Sequence, residues 1–475
     1  MHAGESTKRS LGSGIKQRAR AFAGALVSQI KDTFIIFKSG DWKTKATFLV
    51  MGFGSMSHGQ FIKGLLYLIF EVLFVLFQMR FGWSYLQKFG TLGTVTQTRV
   101  WDEAAGIYMR APGDNSLLIL LFGIVTLSTF VPFVMLWRAN IKSSYHAQKQ
   151  IESFIKPNSF WSDVKTLLNE RFHITMLSIP MLALVIFTVL PIIFMVLMAF
   201  TNFDKAHQPP GSLFTWVGIA NIKDVFWGNP IKSHTFFSIL LWTLVWAVFA
   251  TFTNYVFGIL LALMINKKGI RLKKLWRTVF VTTIAIPQFV CLLFISRLLT
   301  ETGIVNVVLQ RLGWISQPIP FLTDPLLARV TVIVINMWVG IPYTMLSTTG
   351  ILMNIPSDLY ESASIDGAGP IRQFFSITLP YMLFVTTPYL ISQFVGNINN
   401  FNVIYLLTLG NPLTLSYYQA GHTDLLVTWL YKLTVDQQDY SLAATIGILI
   451  FFVVSSISLV VYNRSSSTKK EDQFQ

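Results

Sequence analysis

The chain is short of charge: Asp, Glu, Lys and Arg make up 12% of its 475 residues, about half the roughly 25% typical of soluble proteins. With 53% hydrophobic residues and a mean hydropathy of +0.55, that shortage marks a membrane protein. Cysteine is nearly absent. The single thiol, Cys291, lies in an apolar run and can form neither an intramolecular disulfide nor a multi-cysteine metal site, so redox chemistry is not expected. Acidic residues number 22 against 37 Lys and Arg. The resulting charge of +15 is spread between apolar runs rather than gathered on one basic face, which argues for a basic cytosolic surface and against nucleic acid. No Gly-Lys pair occurs anywhere, so the phosphate-binding loop Gly-x-x-x-x-Gly-Lys-Ser/Thr is missing and any ATP must bind another chain. The seven histidines are scattered among tails, loops and span ends, and neither a metal site nor a catalytic constellation is expected.

What is present is a series of long apolar runs. Segments near 62–80, 115–137, 174–200, 236–265, 279–299, 327–352, 381–408 and 440–462 each approach the length of about 20 residues needed to cross a bilayer. They predict an all-α polytopic protein of about eight spans. Basic clusters precede the first span (Lys31, Lys38), follow the second (Arg138, Lys142, Lys149) and lie between the fourth and fifth (Lys267, Lys268, Arg271). The positive-inside rule then puts both termini on the cytoplasmic side of the membrane. Residues 1–61 contain no full span. Within them AFAGALVSQIKDTFIIFK has basic residues at both ends of a short apolar patch and reads either as an interfacial amphipathic helix or as a tail packed on the membrane domain. The polar residues 464–475 are expected to be disordered.

One segment interrupts the apolar pattern. Between the sixth and seventh spans, YESASIDGAGPIRQFFSITLP is polar, broken by glycine and, by the orientation above, cytoplasmic. Asp358 and Glu361 have the spacing of a capping box, Gly367 and Gly369 can end a helix, and Pro370 suits the first turn of the next. The expected product is helix, tight turn, helix. Leu359, Phe374 and Phe375 would then be exposed, which calls for a partner groove to cover them.

This segment closely resembles the EAA loop of ABC importer permeases, through Glu361-Ser362-Ala363, Gly367 and Ile377-Thr378-Leu379-Pro380. Its one departure places Ser362 where the pattern has alanine. The resemblance implies that 356–380 is the coupling helix region that docks into an ATPase subunit, with Glu361, Ser362, Ala363, Asp366, Gly367, Leu379 and Pro380 at the joint. From 174 to 463 the chain also resembles the larger, MalF-type membrane subunit of maltose and maltodextrin importers, through NMWVGIPY, DLYESASIDGAGP, NINNFNVIYLLTLGNP, GHTDLLVTWLYKL and YSLAATIGILIF. This implies a type I importer permease core of six spans, preceded by two spans and a linker over 62–173. The connection between the third and fourth spans is too short for a separate domain of about 50 residues. The enterobacterial members that the chain resembles carry a large periplasmic domain there, so the resemblance implies a bacterial plasma-membrane protein of Gram-positive-type architecture, with the sugar-binding protein tethered as an extracellular lipoprotein. Implied partners are a second, MalG-like permease forming a heterodimer, two cytosolic ATPase subunits that carry ATP and Mg, membrane lipid and an oligosaccharide.

A membrane site for a neutral, hydroxyl-rich sugar needs amides, hydroxyls and aromatic faces, and few charges. Asn336, Gly340 and Tyr343 share one helical face of the sixth span, and Gln393, Asn397 and Asn400 share one face of the seventh. The resemblance places Asn336, Val339, Gly340, Tyr343, Asn397 and Asn400 at sugar-lining positions. It also shows departures, with Gln393 and Gln288 replacing serines and Ile284 replacing a tyrosine. The competing reading is that such amides only join helices. Pro342 and Pro388 read as interruptions of the sixth and seventh spans, either hinges for alternating access or static kinks. The loop from Gly410 to Ser441 reads as a surface for the binding protein or as a cap on the bundle. An ion-driven carrier is the alternative class, but the only notable acidic residue within a span is Glu71, whereas such carriers use intramembrane carboxylates.

Overall fold

Apolar runs bounded by Asn, Asp or Pro at their starts fold into the expected helices. The computed structural model describes residues 20–21, 24–25, 27–103, 106–267 and 269–464, so most of the C-terminal tail lies outside the described residues. Among the described residues seven helices are long and apolar enough to cross a membrane, and a bent helix pair, counted as one span, brings the number to eight. The chain forms two compact units, one extending to Met195 with Gln208–Thr215, the other comprising Val196–His207 and everything from Trp216 onward.

In the first unit the first span, Phe61–Phe89, packs on the second, Ser116–Glu152. Asn115 caps the second by accepting from Leu117 and Leu118 N–H at 3.1 and 3.2 Å. Between these spans a hairpin pairs Arg99–Asp102 with Ile107–Arg110, an element that hydropathy does not reveal. Glu71 is used structurally, its carboxylate accepting the Met51 N–H at 2.8 Å. Helical backbone runs through residues 27–39. Arg138 donates to the Gln29 side chain and carbonyl at 2.8 and 2.6 Å, while Val27, Ile30, Phe34 and Phe37 lie exposed at helical spacing. The N-terminal region is thus both packed on the second span and apolar on an outer face. The beginning of the expected amphipathic stretch lies outside the described residues. The third span, Phe172–Met198, has no buried residue in its most apolar window, leaving its surface for lipid or another chain to cover.

The second unit centres on the fourth span, Pro230–Asn266, packed along the sixth, Pro325–Leu352. Each begins with proline at its first turn and an Asn229 or Asp324 cap. The contact is close because small residues line it: a Cβ on Gly258 would overlap Thr344. The fifth span is not the single run that hydropathy predicts. It is Lys273–Ala285 and Gln288–Leu298, bent by 87°. Pro287 removes a backbone donor and pushes Ile286 into extended geometry (φ −80°, ψ 127°).

Pro342 and Pro388, expected to interrupt their spans, sit inside continuous helices. The seventh span breaks instead after Leu379–Ile398, where Asn399 and Asn400 precede a new helix, Phe401–Thr408. Asn400 Oδ1 caps that helix by accepting Val403 N–H at 3.2 Å. Beyond it the segment up to Tyr440 folds over the unit. Leu426, Trp429 and Leu433 of helix Leu426–Val435 are buried with Phe236, Ile239 and Ile446.

Candidate functional site

Four broken or tightly paired spans of the second unit line a cavity of about 350 Å³ that is open on one side. The bend in the fifth brings Ile284, Ile286, Pro287 and Gln288 to its wall; the sixth supplies Asn336, Trp338, Val339, Gly340, Tyr343 and Thr344; the seventh supplies Gln393, Asn397 and Asn400. All eight residues expected from sequence, Gln288 included, line this one space. Sequence reasoning missed Asn254, Thr283, Cys291, Trp338 and Thr344, which also line it. Trp338 was within a quoted motif but off the polar face of its helix. With Tyr343 it supplies the aromatic surface that Ile284 lacks.

The amides differ in how far the protein already uses them. Asn397 donates to Thr251 Oγ1 at 3.0 Å, accepts from Asn400 at 3.4 Å, and through its carbonyl accepts the Trp246 indole N–H at 3.0 Å. It joins helices as well as lining the cavity. Gln288 Oε1 accepts from Asn402 at 3.4 Å. Asn336 is 4% exposed, yet its Nδ2 has no hydrogen-bond partner, and neither has the buried Oδ1 of Asn254. A buried polar atom without a partner is uncommon and calls for an explanation. Every lining residue is uncharged, so the space suits a neutral molecule that both donates and accepts hydrogen bonds.

Away from this cavity the expected helix–turn–helix forms. The first helix is Ser357–Ile365 and ends in a left-handed turn: Gly367 has φ +79°, Ala368 N–H reaches Ala363 O at 2.8 Å, and Gly367 N–H reaches Ser364 O at 3.1 Å. Pro370 opens the second helix, with Gly369 at its cap rather than in a left-handed turn. The expected capping box does not form. Pro356 occupies the cap and offers no side-chain acceptor, so Asp358 falls in the first turn, favourable there through the helix dipole. Phe374 is not exposed as expected: a π-turn at Phe374–Thr378 rotates it onto Tyr255 and Met382. Leu359, Ile365, Ile371 and Phe375 are the exposed apolar residues. Gln373 ties the two arms together, donating to Ser364 Oγ and Ala368 O, both at 2.9 Å. Glu361, Ser362, Asp366 and Gly367 are exposed on the first arm and its turn, Ala363 is half-buried, Leu379 begins the seventh span half-buried, and Pro380 beside it is exposed.

Residues 254–468 match the family of binding-protein-dependent transport system inner membrane components. The galactooligosaccharides transport system permease protein GanP of Bacillus subtilis (strain 168) is 34% identical over 428 residues, which are 89% of this chain and 97% of GanP. The chain belongs to the permeases of binding-protein-dependent ABC sugar importers. The maltodextrin transport system permease protein MdxF of the same strain is 33% identical over 433 residues, covering 89% of the permease and 95% of its relative. Among solved structures, a bacterial ABC transporter involved in the import of the acidic polysaccharide alginate matches with TM-score 0.51 and 26% identity, over 64% of the permease and 97% of that chain. The permease therefore has the type I importer fold and is a multi-pass transport subunit of the inner membrane, not an enzyme. In such importers ATP hydrolysis resides on a separate subunit.

Proposed function

We propose that this permease translocates a neutral oligosaccharide, maltodextrin first, through the cavity between its fourth, fifth, sixth and seventh spans. The observation that carries the reading is the lining: amides, threonines and two aromatic rings, with no charged side chain. Amides serve sugar hydroxyls in both directions, and aromatic rings serve the apolar faces of sugar rings. Tyr343 and Trp338 are half or more exposed on the open side, which suits a second, MalG-like permease closing the site. Galactooligosaccharide is the second reading, favoured by the likeness to GanP, because amides distinguish sugars by placement rather than by type.

In this reading both termini and the Ser357–Gln373 helix–turn–helix are cytoplasmic, and Glu361, Asp366 and the exposed Leu359, Ile365 and Ile371 enter a cleft on an ATPase subunit. Two such subunits, carrying ATP and Mg, drive alternating access, and an extracellular sugar-binding lipoprotein delivers the sugar. Exposed Leu413 and Leu415 are suited to meet it. The test of substrate class is uptake by the reconstituted importer of maltotriose, a galactotriose and an oligouronate. One neutral sugar is expected to be carried and the oligouronate refused; accumulation of the oligouronate would overturn the reading.

A further inference from the structure

Asn254 stands on the fourth span beside the buried Tyr255, in what reads from sequence as an apolar run. Its amide is placed by fit. A Cβ built on Gly340 of the sixth span would overlap Asn254 Nδ2, Cγ and Oδ1, the three atoms nearest to it. Gly340 lies one turn from Asn336 on the same helical face, so the two amides sit about one turn apart across the seam of two packed spans.

The two amides are also complementary in what they lack. Asn254 Oδ1 is a buried acceptor without a donor, and Asn336 Nδ2 a buried donor without an acceptor; both residues line the same cavity. An amide serving only to join helices shows its bonds within the protein, as Asn397 does to Thr251, one turn from Asn254 on the same span. A hydroxyl is the simplest group that gives one hydrogen bond and takes another. A carboxylate can only accept, and would leave Oδ1 unmet.

We propose that Asn254 is a specificity-determining residue of the permease, its Oδ1 accepting a hydrogen bond from a sugar hydroxyl while Asn336 Nδ2 donates to that hydroxyl or its neighbour on the ring. The proposal rests on the reading that sugar passes through this cavity. It assigns the fourth span a part in recognising substrate as well as in packing.

The test compares Asn254→Leu, Asn336→Leu and wild-type permease, each assembled with its partner subunits in proteoliposomes with saturating binding protein. Uptake is measured for whichever of maltotriose and a galactotriose is carried, and for its singly deoxygenated analogues. The binding protein's own preference is common to all three and cancels from the comparison. Wild type should slow for at least one analogue by about three- to tenfold, the worth of one neutral hydrogen bond, and Asn254→Leu should carry that analogue and the parent at equal rates. If Asn254→Leu slows all sugars in proportion and keeps the wild-type ratio, the residue only packs helices and the proposal falls. Loss of discrimination in Asn336→Leu alone also overturns it, while leaving the cavity as the sugar route. If neither variant changes any ratio, or wild type slows for no analogue, the cavity reading fails with it.

Discussion

At Asp424 a complete ion pair is buried outside the spans. Its Oδ2 is 2.6 Å from Lys432 Nζ and accepts Gly421 N–H at 2.7 Å, and its Oδ1 accepts the Thr428 hydroxyl at 2.9 Å. Removing one member of such a pair leaves the other charge uncompensated, at a cost of ~3–5 kcal/mol. Asp424→Asn should therefore lower the thermal unfolding midpoint in detergent markedly, and Asp424→Asn with Lys432→Met should recover most of the loss; equal midpoints for all three proteins would refute this role for the pair. In the cavity, Gly340→Ala is expected to displace the Asn254 amide and so reproduce the altered sugar selectivity of Asn254→Leu in the same uptake assay, whereas unchanged selectivity would mean that the amide does not need that gap. Individual residues were legible where chemistry and spacing coincided. Three residues at successive intervals of four and three, Asn336, Gly340 and Tyr343 or Gln393, Asn397 and Asn400, announce one helical face, and all six do meet in one cavity. Asn254 was not legible because a single amide in an apolar run has no periodicity, and its meaning comes from a glycine some 86 positions away in the chain.

Among the elements, helices that begin with strong capping residues matched expectation, and breaks did not. Hydropathy averages over a window, so a turn of two or three residues at Ile286-Pro287 or Asn399-Asn400 leaves the average apolar while redirecting the helix. Pro342 and Pro388 misled for the opposite reason: in a packed span the helix continues past proline because neighbouring groups take up the freed carbonyls. The helix–turn–helix is the best-read element, and its turn depends on Gly367. A side chain at φ +79° costs about 1–2 kcal/mol. Gly367→Val and Glu361→Ala are expected to abolish ATP-driven uptake while leaving membrane insertion intact, as measured by membrane-fraction blotting beside transport; normal uptake in both variants would sink the coupling role. The loop after the first span offers a pH test. Asp114 accepts from Lys88 Nζ at 2.6 Å and from Thr94 and Val95 N–H at 2.9 and 3.1 Å. The Lys88 hydrogen bond first, then those backbone groups, hold its carboxyl below the ordinary value of 3.8. A lowered native value means that the stabilisation is fully present above that ordinary value and is lost as pH falls through the native one. Amide protection over residues 88–97, taken relative to the intrinsic exchange rate at each pH, should fall as the pH is lowered below 3.8, and Asp114→Asn should show the lowered protection already at neutral pH; protection unchanged by either would contradict the role of this carboxylate.

As a whole molecule the chain is a transport subunit. In importers of this family ATP hydrolysis resides on a separate subunit, and the exposed apolar helix–turn–helix is the proposed joint to it. Glu71, the acidic residue that stands out within a span, has a structural use, its carboxylate accepting the Met51 N–H at 2.8 Å. The aromatic side of the cavity, with Trp338 and Tyr343 half or more exposed, is the surface expected of a subunit that a second permease completes. The most direct test is sugar uptake into vesicles containing the permease with its partner subunits and binding protein, with ATP supplied on the ATPase side and an ionophore present. Uptake is predicted to require both ATP and the binding protein and to be indifferent to the ionophore. Uptake that collapses with the ion gradient and ignores ATP would contradict the assignment of this chain to an ATP-driven importer.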